Sequence, residues 1–151
     1  QLVPSMEMVR MYEIPAFRMV SSGTANWGEG VLEKFDAWFS TQPREAFPRD
    51  YLYWNETGFC WLYRLYEGQK APEGFEAVDF PGGLYAVVTG IDQQTDMDAL
   101  NAAVDEFLAK HGMERDPGRQ QLGNIITPPQ ARELLGYSQM DYYAPVRGRD
   151  K

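Results

Sequence analysis

"VDFPGGLYAVVTG", residues 78–90, sets a Pro-Gly-Gly corner ahead of an apolar run that carries a single tyrosine. Pro81 has no N–H to give to a strand ladder, and Gly82 and Gly83 reach dihedrals closed to other residues. The run after the corner is rich in β-branched and apolar side chains and reads as a strand. The corner is therefore expected to be a bulge or bend that kinks this strand, with Tyr85 just beyond it.

Upstream, "MVRMYEIPAFRMV" (8–20) has the same form: an imperfectly alternating strand with a bend at Pro15. The segments after the two bent strands are also alike. In "NWGEGVLEKFDAWFS" the residues Val31, Leu32, Phe35, Trp38 and Phe39 recur at helical spacing, with Asn26 as a cap. In "TDMDALNAAVDEFLAKHG" Leu100, Val104, Phe107 and Leu108 share a face, Asp96 or Thr95 caps the start, and Gly112 ends the helix. After the first helix, Pro43 and Pro48 punctuate a loop, and "YLYWNE" and "FCWLYRLYEG" read as a hairpin. After the second, "LGNIIT" and "MDYYAPV" supply two strands around the loop "TPPQARELLGYSQ".

The result is a βαββ unit written twice, about 65–70 residues apart. The expected fold class is α+β: two pseudo-symmetric βαββ repeats whose antiparallel sheets are backed by helices and meet at a central ligand groove. One domain spans 8–147, with repeat one at 8–67 and repeat two at 75–147. Residues 1–7 read as a linker or the remnant of a cut, since the chain opens on Gln1, and 148–151 as a tail.

Composition narrows the function. The 151 residues are 44% apolar and 24% charged, as in an ordinary globular domain. The formal charge of −8 is offset by no basic cluster, so direct binding to nucleic acid is not expected. An acidic surface fits a cationic small molecule, a basic partner or plain solubility. Cys60 and His111 are each the only residue of their kind, which leaves no internal disulfide and argues against a Cys/His metal site or a Ser-His-Asp relay. Neither a phosphate loop nor a dinucleotide fingerprint is present, no cofactor is implied, and no apolar run approaches the roughly 18 residues of a membrane span. A cytosolic, non-catalytic protein is the expectation.

Seven of the 21 aromatic residues fall between Tyr51 and Tyr66. Alternation puts Phe59, Trp61, Tyr63 and Leu65 on one side of their strand and Cys60, Leu62, Arg64 and Tyr66 on the other, and either side suits the helix. A strand with large residues on both faces fits an aromatic-walled pocket. In "MDYYAPV", Asp141 and Tyr143 share a face, where the acid would neutralise a bound cation. Glu56 and Glu67, at the hairpin ends, are weaker candidates of the same kind.

The order and spacing of "VRMYEIPAFRMV", "FEAVDFPGGLYAVV" and "LGYSQMDYYAPVR" resemble the GyrI-like effector-binding domain, over about residues 8–147. That domain occurs at the C-terminus of AraC-type activators of the Rob class, in multidrug-responsive MerR-type regulators, and alone. The resemblance implies a small-molecule effector, often aromatic and cationic, held in the groove between the repeats. It implies Tyr85 and Tyr143 on one wall and Trp61, Tyr63 and Trp54 on the other. Many members carry an acid on the strand after the second helix, where this chain has Asn124; the charge for a cation would then come from Asp141 or a hairpin Glu. DNA would be contacted only through an N-terminal helix-turn-helix domain absent from these residues, with no membrane partner. The alternatives are a stand-alone gyrase-inhibitor-like domain that grips a basic protein, and a small hydrolase built on a groove carboxylate and tyrosine.

Overall fold

A computed structural model of the chain describes residues 8–42, 50–66 and 68–149. The reading of 1–7 as a linker, the prolines at 43 and 48, and Glu67 lie outside the described residues.

The chain divides into two compact units. The middle unit runs from Pro15 to Gly82; the terminal unit combines the chain up to Ile14 with everything from Gly83. Both cuts fall at the proline bends. At Pro15 the expected single strand is two, β1 (Arg10–Ile14) and β2 (Phe17–Ala25). At Pro81 it is again two, β5 (Glu76–Phe80) and β6 (Gly83–Ile91). Gly82 and Gly83 have φ of 70° and 122°, backbone that a side chain resists, so the corner ends one strand and starts another where a bulge or bend within one strand was expected. Each unit thereby takes the first half of the other repeat's long strand: β1 pairs with β6, and β5 with β2.

In the middle unit the strands lie in the order β3-β4-β2-β5, all antiparallel, with β3 at Asp50–Asn55 and β4 at Gly58–Arg64. A bulge between Ser21 and Thr24 interrupts β2; there Ser22 Oγ accepts the Trp61 N–H at 2.8 Å. Helix α1 (Val31–Phe39) covers one face. It is capped at Gly30, not Asn26: Glu33 Oε1 accepts the Gly30 N–H at 3.0 Å and Glu33 Oε2 the Gly28 N–H at 2.7 Å. Those bonds hold the Glu33 carboxyl below its ordinary range.

The terminal unit orders its strands β1-β6-β9-β8, with β8 at Leu122–Ile125 and β9 at Gln139–Gly148; a short β7 (Met113–Arg115) pairs with the end of β9. Helix α2 (Met97–Lys110) starts at Asp96, whose Oδ1 accepts the N–H groups of Asp98 and Ala99, and it gives way at Gly112 with φ 70°. A third helix, α3 (Pro129–Leu135), occupies the segment expected to be a loop; Pro at its first turn and Gly136 at its end fit the usual asymmetry. Leu100, Val104 and Leu108 of α2 pack on Ala86, Val88, Met140, Tyr142, Ala144 and Val146, an almost wholly aliphatic core.

Candidate functional site

Strand register fixes which side chains face away from α2. Ala86, Val88, Met140, Tyr142, Ala144 and Val146 take the helix side, so their neighbours take the other. Tyr12 lies opposite Tyr85, Val87 opposite Tyr143, Thr89 opposite Asp141, and Asn124 opposite Asp141 on the far side of β9. Arg10, Tyr12, Tyr85, Thr89, Asn124, Asp141 and Tyr143 thus share the helix-free face of the terminal unit. Four sequence-predicted site residues, Tyr85, Asn124, Asp141 and Tyr143, are brought together there.

Much of this face is buried: Tyr85 is 1% exposed, Tyr143 5% and Asn124 4%, while Tyr12 at its edge is 40% exposed. The phenols meet edge to face, Tyr143 against Tyr85 with centroids 6.3 Å apart and against Tyr12 at 6.2 Å. Asp141 is not open to an incoming charge. Its Oδ1 accepts from Arg10 Nη2 at 2.8 Å and from the Thr89 hydroxyl at 2.7 Å, and Arg10 also donates to the Tyr12 hydroxyl. The Arg119 guanidinium lies 4.9 Å from the Tyr85 ring centroid, donates to the Leu84 and Val146 carbonyls, and pairs with Asp116 at 2.9 Å. Burial pushes the Tyr85 phenol up, against the opposing pull of Arg119, while the hydrogen bond from Arg119 holds the Asp116 carboxyl down. Asn124 Oδ1 is buried and has no hydrogen-bond partner among the described residues.

The residues of the predicted second wall belong to the middle unit. Tyr63 and Leu65, with Val20 and Phe35, form the core beneath α1, and Trp38, Phe39, Trp61 and Phe75 pack against it. Trp61 has its ring 5.4 Å from Phe35 and 5.2 Å from Phe39, and Tyr63 sits 5.2 Å from Trp38. Alternation leaves open which side of β4 meets the helix; the structure gives it the Phe59 side, because Phe35, Trp38 and Phe39 supply matching rings. Trp54, opposite Phe59, is on the helix side too, at the strand end and 36% exposed. Trp61 Nε1 donates to Asp50 Oδ2 at 3.0 Å, and burial, the larger effect, lifts the Asp50 carboxyl above its ordinary range.

The helix-free face of the middle unit carries other residues: Ser21, Tyr51, Tyr53, Cys60 and Arg64. Ser21 Oγ and Cys60 Sγ are 3.2 Å apart, and a hydrogen bond with Cys60, with burial, pushes the Tyr53 phenol up to about 12. Glu56 is exposed at the hairpin turn. Among the described residues, no group of three or more His, Cys, Asp and Glu residues is placed to hold a metal ion, and no helix is long and apolar enough to cross a membrane.

Sequence reasoning misses Arg10, Tyr12, Thr89 and Arg119. The alternation of Arg10 and Tyr12 in "RMYEI" is legible, but their site depends on pairing with a strand more than 70 positions away.

Neither a family model nor a curated protein matches the sequence. Solved structures do match the fold. A hydrolase from Listeria innocua aligns over 95% of this chain and 94% of its own, with TM-score 0.68 and 11% identity. The C-terminal domain of EcmrR aligns over 93% and 97%, with TM-score 0.64 and 9% identity. The chain has the GyrI-like fold. SAV2435, solved bound to tetraphenylphosphonium, shares it over 93% of this chain and 94% of its own at TM-score 0.56 and 10% identity. EcmrR has also been solved in complex with DNA, and there this chain spans 57% of the EcmrR chain.

Proposed function

We propose that the chain is the small-molecule effector-binding module of a bacterial transcription regulator, and that it takes its ligand on the helix-free face of the terminal unit, at Tyr85, Asn124, Asp141 and Tyr143. One observation carries the reading. A sheet face that needed only to be covered would be aliphatic, as the α2 side is. This one buries the phenols of Tyr85 and Tyr143, the carboxylate of an ion pair and an amide whose Oδ1 has no partner among the described residues, and such groups cost free energy unless a contact answers them. The shared fold of SAV2435 with its bound tetraphenylphosphonium supports the same class of function. The DNA complex of EcmrR supports a role in which ligand binding shifts an attached DNA-binding segment between two states.

A hydrolase built on this face would need a carboxylate ready to act as a base beside a tyrosine. Asp141 has its Oδ1 engaged by Arg10 and Thr89, which favours binding over catalysis. A thermal-shift panel of aromatic cations and neutral aromatics tests the proposal. A ligand at a hundred times its Kd should raise the melting temperature by about 5–10 °C. The shift should vanish in Tyr143→Leu. A panel in which nothing raises the melting temperature refutes the assignment.

A further inference from the structure

The charge on the helix-free face of the terminal unit is settled by the chain's own side chains. Arg10 reaches from β1 across β6 to β9: Nη2 is 2.8 Å from Asp141 Oδ1 and 3.0 Å from Thr89 Oγ1, and Nη1 is 2.9 Å from the Tyr12 hydroxyl. Its Cζ also sits 5.3 Å from the Tyr12 ring centroid. The Asp141 side chain is 8% exposed and that of Arg10 41%, so the guanidinium is the outer partner and the carboxylate the inner one. On the other flank Arg119 covers the Tyr85 ring and is itself paired with Asp116.

A guanidinium over a phenol ring and against a carboxylate has the position and partners that a lipophilic cation would want. A cation that came to Asp141 would have to displace Arg10 from three hydrogen bonds, or lie beside it at a like-charge cost. Asn124 is different. It stands opposite Asp141 in register, is neutral, and presents a buried oxygen with no partner among the described residues. A donor brought to that oxygen gains a hydrogen bond whose desolvation has already been met, and a ligand without one leaves it unanswered.

We propose that Arg10 is the chain's own occupant of the cation position beside Asp141, so that this face selects a neutral aromatic ligand bearing a hydrogen-bond donor for Asn124 and excludes lipophilic cations. The inference rests on the ligand-site reading above and adds the ligand's charge.

Calorimetry on the full chain with three probes separates the two. Tetraphenylphosphonium is the cation, triphenylmethanol the neutral donor, and triphenylmethane the neutral probe without a donor. The wild-type chain should bind triphenylmethanol at least about tenfold tighter than either of the others. Arg10→Met should gain about tenfold or more for tetraphenylphosphonium, and the added change Asp141→Asn should abolish that gain. Arg10→Lys, which keeps the charge, should still exclude the cation. Asn124→Leu should erase the preference for triphenylmethanol over triphenylmethane, and this arm stands even if Arg10→Met does not fold. Wild-type binding of tetraphenylphosphonium as tight as that of triphenylmethanol, or an unchanged cation affinity in folded Arg10→Met, overturns the selectivity and leaves the ligand site standing. No heat from any probe with either chain, with circular dichroism showing both folded, overturns the ligand site itself.

Discussion

Replacing Gly83 by alanine probes the corner at which the chain passes into the terminal unit. Gly83 has φ 122°, so any Cβ strains the backbone there, at a cost of about 1–3 kcal/mol. The new Cβ would also overlap the Arg119 guanidinium, which it would meet at Nη1 and, at 2.8 Å, at Cζ. Arg119 must then leave the Tyr85 ring and the carbonyls of Leu84 and Val146. Those contacts are partly replaced by water, so their loss should add about 1–2 kcal/mol. Gly23 supplies the control: at φ 72° it is also left-handed, but nothing lies within 4 Å of its Cβ position. Gly23→Ala should therefore cost only the backbone strain, about 1–2 kcal/mol. The expected order in thermal unfolding is Gly83→Ala well below Gly23→Ala. In an Arg119→Met background the excess should shrink by about 1–2 kcal/mol, because the displaced contacts are already gone. If Gly83→Ala costs no more than Gly23→Ala, or its excess persists undiminished without Arg119, the argument that the glycine exists to admit the arginine is refuted.

The middle unit supplies two further tests. Phe35 is fully buried, with rings of Trp38, Trp61 and Phe75 within 5.6 Å of its own, so Phe35→Ala should cost about 3–5 kcal/mol in urea unfolding; a cost under about 1 kcal/mol would contradict its place in the core. Asp50 has its folded-state pKa raised by burial, so its contribution to stability is complete below the unfolded value near 3.8 and is lost as pH rises through the folded value. Asp50→Asn, which keeps an acceptor for Trp61 Nε1, should thus melt higher than wild type at pH 7 and match it near pH 4; a difference that stays flat with pH, or grows on acidification, would show the carboxyl to be unperturbed.

The βαββ repeats are legible because their signals are local. The Asp96 cap, the Gly112 stop and the apolar spacing of α1 and α2 each depend on residues within a few positions of one another. The alternation that puts Asp141 and Tyr143 on one face and Tyr142 and Ala144 on the other is local too, and the structure keeps it. The features that escape a sequence reading are non-local. Pro15 and Pro81 look like bends within strands, and only the pairing of β1 with β6 and of β5 with β2 shows that each proline hands the chain to a different unit. Asn26 fits a cap by residue type, but Glu33 closes the first turn of α1 from within the helix. The two prolines at the start of α3 read as loop, although the second stands at the first helical position, where proline is favoured.

The dense aromatics of the hairpin suggest a pocket wall, and the two helices explain why Trp61 and Tyr63 pack as core beneath α1. Helix α1 has nine residues against fourteen in α2, so it spans about 13 Å of sheet where α2 spans about 21 Å. A short helix covers a sheet face only if the side chains between them are large. The middle unit meets that need with Phe35, Trp38, Phe39, Trp61, Tyr63 and Phe75, rings that each bury about 150–250 Å². The longer α2 closes its face with Leu, Val, Ala and Met, aided by Phe107 and Tyr142. The phenols of Tyr12, Tyr85 and Tyr143, on the other face of that sheet, are therefore not needed to close the α2 side. On the reading proposed above, the phenols that the α2 side does not require are the ones that meet a ligand.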